Sequence, residues 1–143
     1  MILPIPQEYW NNVTQKFGVP NDWYQSGVHN GTDFACPLGT PVVAPCDGEI
    51  IHRYLNHETM GKCVYFATLD GHYIRFMHLS EASVQGKYKQ GERIGKTGNT
   101  GMSTGNHLHI DIFNVPINTA LIKTKAGVWK YLVDPLTFFN TAL

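Results

Sequence analysis

The stretch Lys62-Cys-Val-Tyr-Phe-Ala-Thr-Leu-Asp-Gly-His-Tyr-Ile-Arg-Phe-Met-His78 decides the fold class of this chain. Two runs rich in β-branched and aromatic residues, Lys62 to Thr68 and Tyr73 to His78, flank Asp70-Gly71. Those two residue types tolerate the positive φ angles of a tight turn, so the stretch predicts a β-hairpin. Outward from it, Gly and Pro punctuate the chain at short intervals. The segments between them have strand composition: Gly31 to Ala35, Pro41 to Ala44, Gly48 to Tyr54, Arg93 to Lys96 and His107 to Asn114. The expectation is a mainly β fold, an antiparallel β-sheet or β-sandwich-like single domain over residues 1–143 with a loop-walled groove.

Helical signals are confined to short pieces near the termini. Gln7 to Phe17 reads as an amphipathic turn burying Trp10, Val13 and Phe17, and Pro135 to Asn140 as another after Asp134 as N-cap. Segments 55 to 61 and 114 to 127 lack periodicity and read as surface loops, the kind that rim a substrate groove. No internal repeat, low-complexity tract or linker interrupts the pattern.

A chain of 143 residues has room for one domain with a real core. Its 43% hydrophobic and 15% charged content belongs to globular proteins rather than disordered ones. Eleven basic and eleven acidic residues cancel, so nothing in the overall balance draws the chain to nucleic acid or an anionic membrane. Lys87, Lys89 and Arg93, with Glu92 among them, read as a solvated edge. No apolar run approaches the ~20 residues a spanning helix needs, so membrane insertion is not expected. The N-terminal Met-Ile-Leu-Pro-Ile-Pro-Gln-Glu has neither a basic region nor a continuous apolar one, and no signal peptide is expected. Cys36, Cys46 and Cys63 are odd in number without Cys-x-x-Cys spacing, which suggests free, partly buried thiols.

Chemistry concentrates on histidines. In His107-Leu-His109 the two imidazoles project to one side of a strand while Leu108 points the other way, into a core. His29-Asn-Gly-Thr-Asp33 places a histidine and a carboxylate on one face, and Gly31 argues for the extended form. Zinc accepts both ligand types, and a catalytic site uses three protein ligands with a position open for water. Four candidates are available for three places, and the fourth can serve as a base. His78 shares its alternation with Ile74 and Phe76, the signature of a core-facing residue at a strand end. His52, His57 and His72 sit in charged or turn contexts and read as surface residues. The glycine-rich run Gly95 to Gly105 matches neither the phosphate-loop nor the dinucleotide pattern and reads as a tight connection delivering the His107 strand.

Five ordered motifs now carry a resemblance: His29-Asn-Gly-Thr-Asp33, Gly39-Thr-Pro-Val-Val-Ala-Pro-Cys-Asp-Gly48, Met77-His-Leu79, Gly95-Lys-Thr-Gly-Asn-Thr-Gly-Met-Ser-Thr-Gly105 and His107-Leu-His109. Together they resemble the LytM/lysostaphin-type zinc metalloendopeptidases, which cut peptidoglycan cross-bridges. The likeness runs from about residue 29 to 114, with Val133-Asp-Pro-Leu136 resembling the family's tail. It implies one Zn²⁺ on His29, Asp33 and His109, catalysis by His78 and His107, and peptidoglycan peptide stems or cross-bridges as substrate. Family members also place a tyrosine upstream of the first ligand to hydrogen-bond the transition state, and Tyr24 is the nearest candidate. Asp111, on the face of His109, is placed to support a ligand from behind.

No pro-segment or wall-targeting module is recognisable, which suggests a compact lysin of bacteriophage type. Such a protein would pass from the host cytoplasm to the periplasm or cell wall through a holin, or travel with virion proteins. The competing expectation on the same fold is a catalytically silent wall-binding or hydrolase-activating module. Those relatives usually lack ligands, whereas none is missing here. A lipoyl-like carrier, faintly suggested by Gly39 to Gly48, fails because no lysine sits at a matching hairpin tip. Glycyl-glycine and D-alanyl-diaminopimelate links are both cut by such enzymes, and the residues do not choose between them.

Overall fold

The hairpin turning at Asp70-Gly71 lies at the centre of the molecule. In the computed structural model, which describes residues 1–143, Gly71 adopts φ +88° and joins β5 (Gly61–Thr68) to β6 (Tyr73–Leu79) in antiparallel pairing. Other strands are β1 (Val13–Gln15), β2 (Thr32–Ala35), β3 (Pro41–Val43), β4 (Gly48–His57), β7 (Glu81–Ala82), β8 (Gly86–Tyr88), β9 (Arg93–Lys96), β10 (His107–Phe113) and β11 (Leu132–Val133). A large antiparallel sheet has the order β1-β2-β10-β6-β5-β4-β8, with β11 on β10, and a smaller one the order β3-β9-β7. The mainly β expectation holds, and all seven anticipated strands are present.

The two sheets share the core. Phe34, Ile50, Val64, Phe66, Ile74, Phe76, Leu108, Ile110 and Ile112 project from one face of the large sheet onto Val42, Ile94 and Ala82 of the small one. Both termini close this layer. Trp10 stacks on Phe34 with ring centroids 4.4 Å apart and meets the edge of Phe139 at 5.1 Å. Fully burying side chains of this size stabilises by roughly 1.5–3 kcal/mol each.

Several local expectations need correction. The helix anticipated over residues 7 to 17 is only α1 (Gln7–Trp10); β-branched Val13 instead pairs with Phe34, and Val13 and Phe17 are half-buried. Residues 55 to 61 are not a loop. β4 continues to His57, whose Nδ1 accepts hydrogen bonds from the Thr59 and Met60 amides and so shapes a short turn into β5. Residues 114 to 127 contain a 3₁₀ turn, Thr119–Ile122, and the start of α2 (Lys125–Tyr131), capped by the Thr124 hydroxyl. Strands β1, β7, β8 and β11 have two or three residues each, too few for a period to show in sequence. The second terminal helix, α3 (Pro135–Phe138), begins where Asp134 caps it.

Candidate metal centre and active site

Strand alternation divides β10 into two chemistries. Leu108, Ile110 and Ile112 enter the core, so His107, His109 and Asp111 line the opposite face of the large sheet. Pairing with β2 sets His109 against Asp33 and His107 against Ala35. His29 arrives on the loop before β2, its own backbone bonded to Gly18 and Val19. Gly31, between the two, lies so close to the Ile110 carbonyl that a Cβ there would collide with it.

His29, Asp33 and His109 therefore converge, with one ligand atom from each lying within 4.8 Å of the others. His29 Nδ1 is 3.2 Å from the Lys16 carbonyl, and a carbonyl only accepts, so the proton sits on Nδ1 and Nε2 is left with a free lone pair. That Nε2 is buried with no hydrogen-bond partner, 3.3 Å from Asp33 Oδ2. An orphaned buried imidazole nitrogen costs free energy unless something binds it. His109 Nδ1 lies 2.8 Å from Asp33 Oδ1, and its Nε2 lies 3.2 Å from Asp111 Oδ2. Burial alone would lower the His109 pKa, but Asp111 and Asp33 accepting from both nitrogens push it up to about 9. Burial would raise Asp33, yet His109 and His29 beside it hold its carboxyl well below the usual carboxylate range. Two imidazoles and an ionised carboxylate are a donor set that suits a divalent cation of zinc type.

His78 reaches this face by a route that alternation does not anticipate. It has φ +64°, in the left-handed region, and the β5–β6 register skips there, from Val64↔Phe76 to Lys62↔Leu79. The turn of the backbone swings His78 away from the Ile74 and Phe76 side and toward the histidines, its ring centroid 4.9 Å from that of His107. The sequence-based placement of His78 on the core face is thus corrected. Holding an L-residue there costs roughly 1–3 kcal/mol, a strain found at functional sites. The Met60 carbonyl fixes it by accepting from the His78 amide at 2.9 Å. Its Nδ1 donates to the Thr100 carbonyl at 2.8 Å, which leaves Nε2 as an acceptor. Burial lowers its pKa to about 4 despite that contact. His107 Nδ1 likewise meets the Gly105 carbonyl at 2.8 Å, and its Nε2 lies 3.9 Å from Asp33 Oδ1. The Gly95 to Gly105 connection therefore does more than deliver β10, because its carbonyls orient both imidazoles.

Tyr24 stands above the cluster, 5.3 Å from the His29 ring and 6.4 Å from that of His109. Burial, reinforced by Asp33 and Asp111, raises its phenol pKa above the ordinary value, so it stays a neutral donor. The side chains open into a cleft of about 510 Å³ bordered by Gln15, Asn21, Asp22, Ser103 and Thr104. A second hollow of about 430 Å³, walled by Met60, Met77 and Ile122, shares Trp23, Tyr24, His78 and Met102 with it. Trp23 and Met102 are exposed apolar residues common to both hollows. His57, expected at the surface, is half-buried and lines the second hollow, while His52 is exposed.

Arg75 has no role in the sequence reading. It is 4% exposed and forms two parallel hydrogen bonds to Asp111, Nε to Oδ1 at 2.7 Å and Nη2 to Oδ2 at 2.8 Å. The available signal was a charged residue in mid-strand between Tyr73 and Met77. The three cysteines are free, as expected; burial pushes Cys63 up to about 12 and Cys36 up to about 11, so neither is a nucleophile.

The model of peptidase family M23 matches residues 27–121. The peptidoglycan DD-endopeptidase ShyA of Vibrio cholerae is 43% identical over 86 residues, which cover 59% of this chain and 20% of that protein. The catalytic domain of the antimicrobial peptidase lysostaphin from Staphylococcus simulans superposes with TM-score 0.75 at 28% identity, over 95% of this chain and 98% of that one. A zinc-containing peptidase from Vibrio cholerae superposes with TM-score 0.69 at 31% identity, over 80% of this chain and 37% of that one. The chain spans between 20% and 32% of the length of the first curated relatives it matches.

Proposed function

The chain belongs to peptidase family M23, and from that premise we propose that it is a zinc-dependent endopeptidase hydrolysing the peptide cross-links of bacterial peptidoglycan. The observation that carries the reading is the orphaned Nε2 of His29 facing ionised Asp33 and His109 at the floor of an open cleft. These three residues would hold the zinc, which supplies a Lewis acid for the scissile carbonyl and acidifies water.

The remaining residues divide the work. His78 and His107, each with Nδ1 pinned to a carbonyl, offer Nε2 atoms that accept a proton from the attacking water and return one to the leaving amine. A neutral Tyr24 donates a hydrogen bond to the developing oxyanion. The cleft positions the cross-link across this row, between Trp23 and Met102. The 43% identity to a peptidoglycan DD-endopeptidase supports links between D-centres as the bond cut.

Purified protein is expected to contain about one zinc and to clear suspensions of sacculi, with clearing abolished by a chelator and restored by zinc. Stoichiometric zinc without bond cleavage, on walls of several chemotypes, would instead indicate a silent wall-binding module.

A further inference from the structure

Four imidazoles meet at the site, and the partners that orient them are not alike. His29, His78 and His107 each direct Nδ1 at a backbone carbonyl, of Lys16, Thr100 and Gly105 respectively. His107 Nδ1 also meets the Ser103 hydroxyl at 3.0 Å, but His109 alone is oriented from behind by a carboxylate, Asp111, through Nε2. A backbone acceptor is fixed by the fold, whereas a carboxylate can rotate about two side-chain torsions. Something must hold it.

Arg75 does so. It stands directly across from Asp111 in the β6–β10 register. Its two hydrogen bonds occupy Asp111 Oδ1 and one side of Oδ2, which leaves the rest of Oδ2 for His109. The guanidinium is itself boxed in, 5.0 Å over the Phe113 ring, 5.9 Å over the Tyr65 ring and with Nη1 on the Met60 sulfur at 3.8 Å. Asp111 is fully buried. A buried ion pair gives little net stability over an apolar pair of similar volume, so packing alone does not account for it. Without Arg75, a second carboxylate beside the cluster would be free to turn toward a bound cation.

We infer that Arg75 and Asp111 are positioning residues of the metal centre, fixing His109 with Nε2–H on Asp111 and Nδ1 toward His29 and Asp33. The inference rests on the metal reading of the preceding section, and the experiment separates the two. Long-range ¹H–¹⁵N spectra of zinc-loaded, histidine-labelled protein report which nitrogen of His109 bears the metal. Chelator competition gives the zinc dissociation constant. The expected result is Nδ1 bound to zinc with a slowly exchanging Nε2–H in the unaltered protein. Asp111→Asn and Arg75→Met should weaken zinc roughly 10- to 100-fold, the range seen when a ligand's supporting partner is lost, and Arg75→Lys should recover part of that loss. Thermal unfolding run in parallel separates a loss of fold from a loss of affinity.

Zinc bound through Nε2 of His109 in the unaltered protein would overturn the inference without any variant. So would folded Asp111→Asn with unchanged affinity and unchanged Nδ1 coordination. No zinc binding by the unaltered protein would refute the metal reading itself.

Discussion

Strand β10 carries two rows of buried side chains that obey different rules. Leu108, Ile110 and Ile112 on one face are fully buried and need only shape and volume from their neighbours. On the other face, His109 and Asp111 are as deeply buried, at 1% and 0% exposure, but each polar atom there must find a partner. Nearly all do: Asp111 on Arg75 and His109, His78 on Thr100, His107 on Gly105. Among the ring nitrogens, His78 and His107 present Nε2 to the cleft, whereas His29 Nε2 is fully buried and still unpartnered. An apolar face tolerates slack and loses stability by degrees, whereas a polar one reveals its purpose through a buried valence left open.

Substitutions along β10 should separate the two rows. The largest effect is expected at His109→Ala, which removes a proposed ligand and should abolish zinc uptake and hydrolysis together. His107→Ala should keep its zinc while turnover falls roughly 10²- to 10⁴-fold, the range for loss of a general acid–base group. Equal zinc loss in both would erase the division of labour between them. Between these two residues, Leu108→Ala should cost about 3–5 kcal/mol in denaturant unfolding because it leaves a cavity, with zinc content and turnover of the folded fraction unchanged. A drop in affinity matching the drop in stability would show that the two faces are not independent.

Titration should distinguish the rows as well, since only one of them ionises. In metal-free protein His109 is raised to about 9, so its contribution is complete below the unfolded value near 6.5 and is lost as pH rises toward 9. His78 is lowered to about 4, so its contribution is present above the unfolded value and is lost as pH falls from 6.5 to 4. Stability of the metal-free protein should therefore peak near pH 6.5, each limb falling by on the order of 3 kcal/mol. Below pH 4, protonation of Asp33 and Asp111, both held under the usual range, lowers it further. Saturating zinc should flatten the alkaline limb, because the metal takes the place of the His109 proton. Melting curves across this range, with and without zinc, check both limbs.

The smallest expected effect is a difference in stability between two variants at His78. Both His78→Gly and His78→Ala should be inactive, but the glycine variant should be the more stable by about 1 kcal/mol because its φ of +64° is unstrained without a side chain. Equal stability would remove the claim that strain is stored at that position.

Much of this was legible in the chain. Period-two alternation in His107-Leu-His-Ile-Asp-Ile-Phe113 separates the core row from the site row, and Asp70-Gly71 locates the central hairpin. His29, Asp33 and His109 converge as the family resemblance implies, whereas ligand chemistry alone leaves four candidates for three places. His78 was misplaced because alternation presumes regular β backbone, and one left-handed residue reverses the face. The carbonyls of Lys16, Thr100 and Gly105 were invisible for a deeper reason: any residue supplies a carbonyl, so the sequence carries no mark of which one is used. Arg75 carries no local mark of its role, because that role lies in a partner 36 residues away.

The central claim is that the polar row of β10, completed by His29 and Asp33, cuts peptide cross-links of peptidoglycan. Mass spectrometry of muropeptides released from purified sacculi by the zinc-loaded protein, with His109→Ala as the control, tests it most directly. The account predicts conversion of cross-linked dimers to monomers by addition of one water, with D-alanyl-diaminopimelate links cut in preference to glycyl bridges and no release by the variant. Intact dimers from every wall type, in the presence of bound zinc, would contradict it.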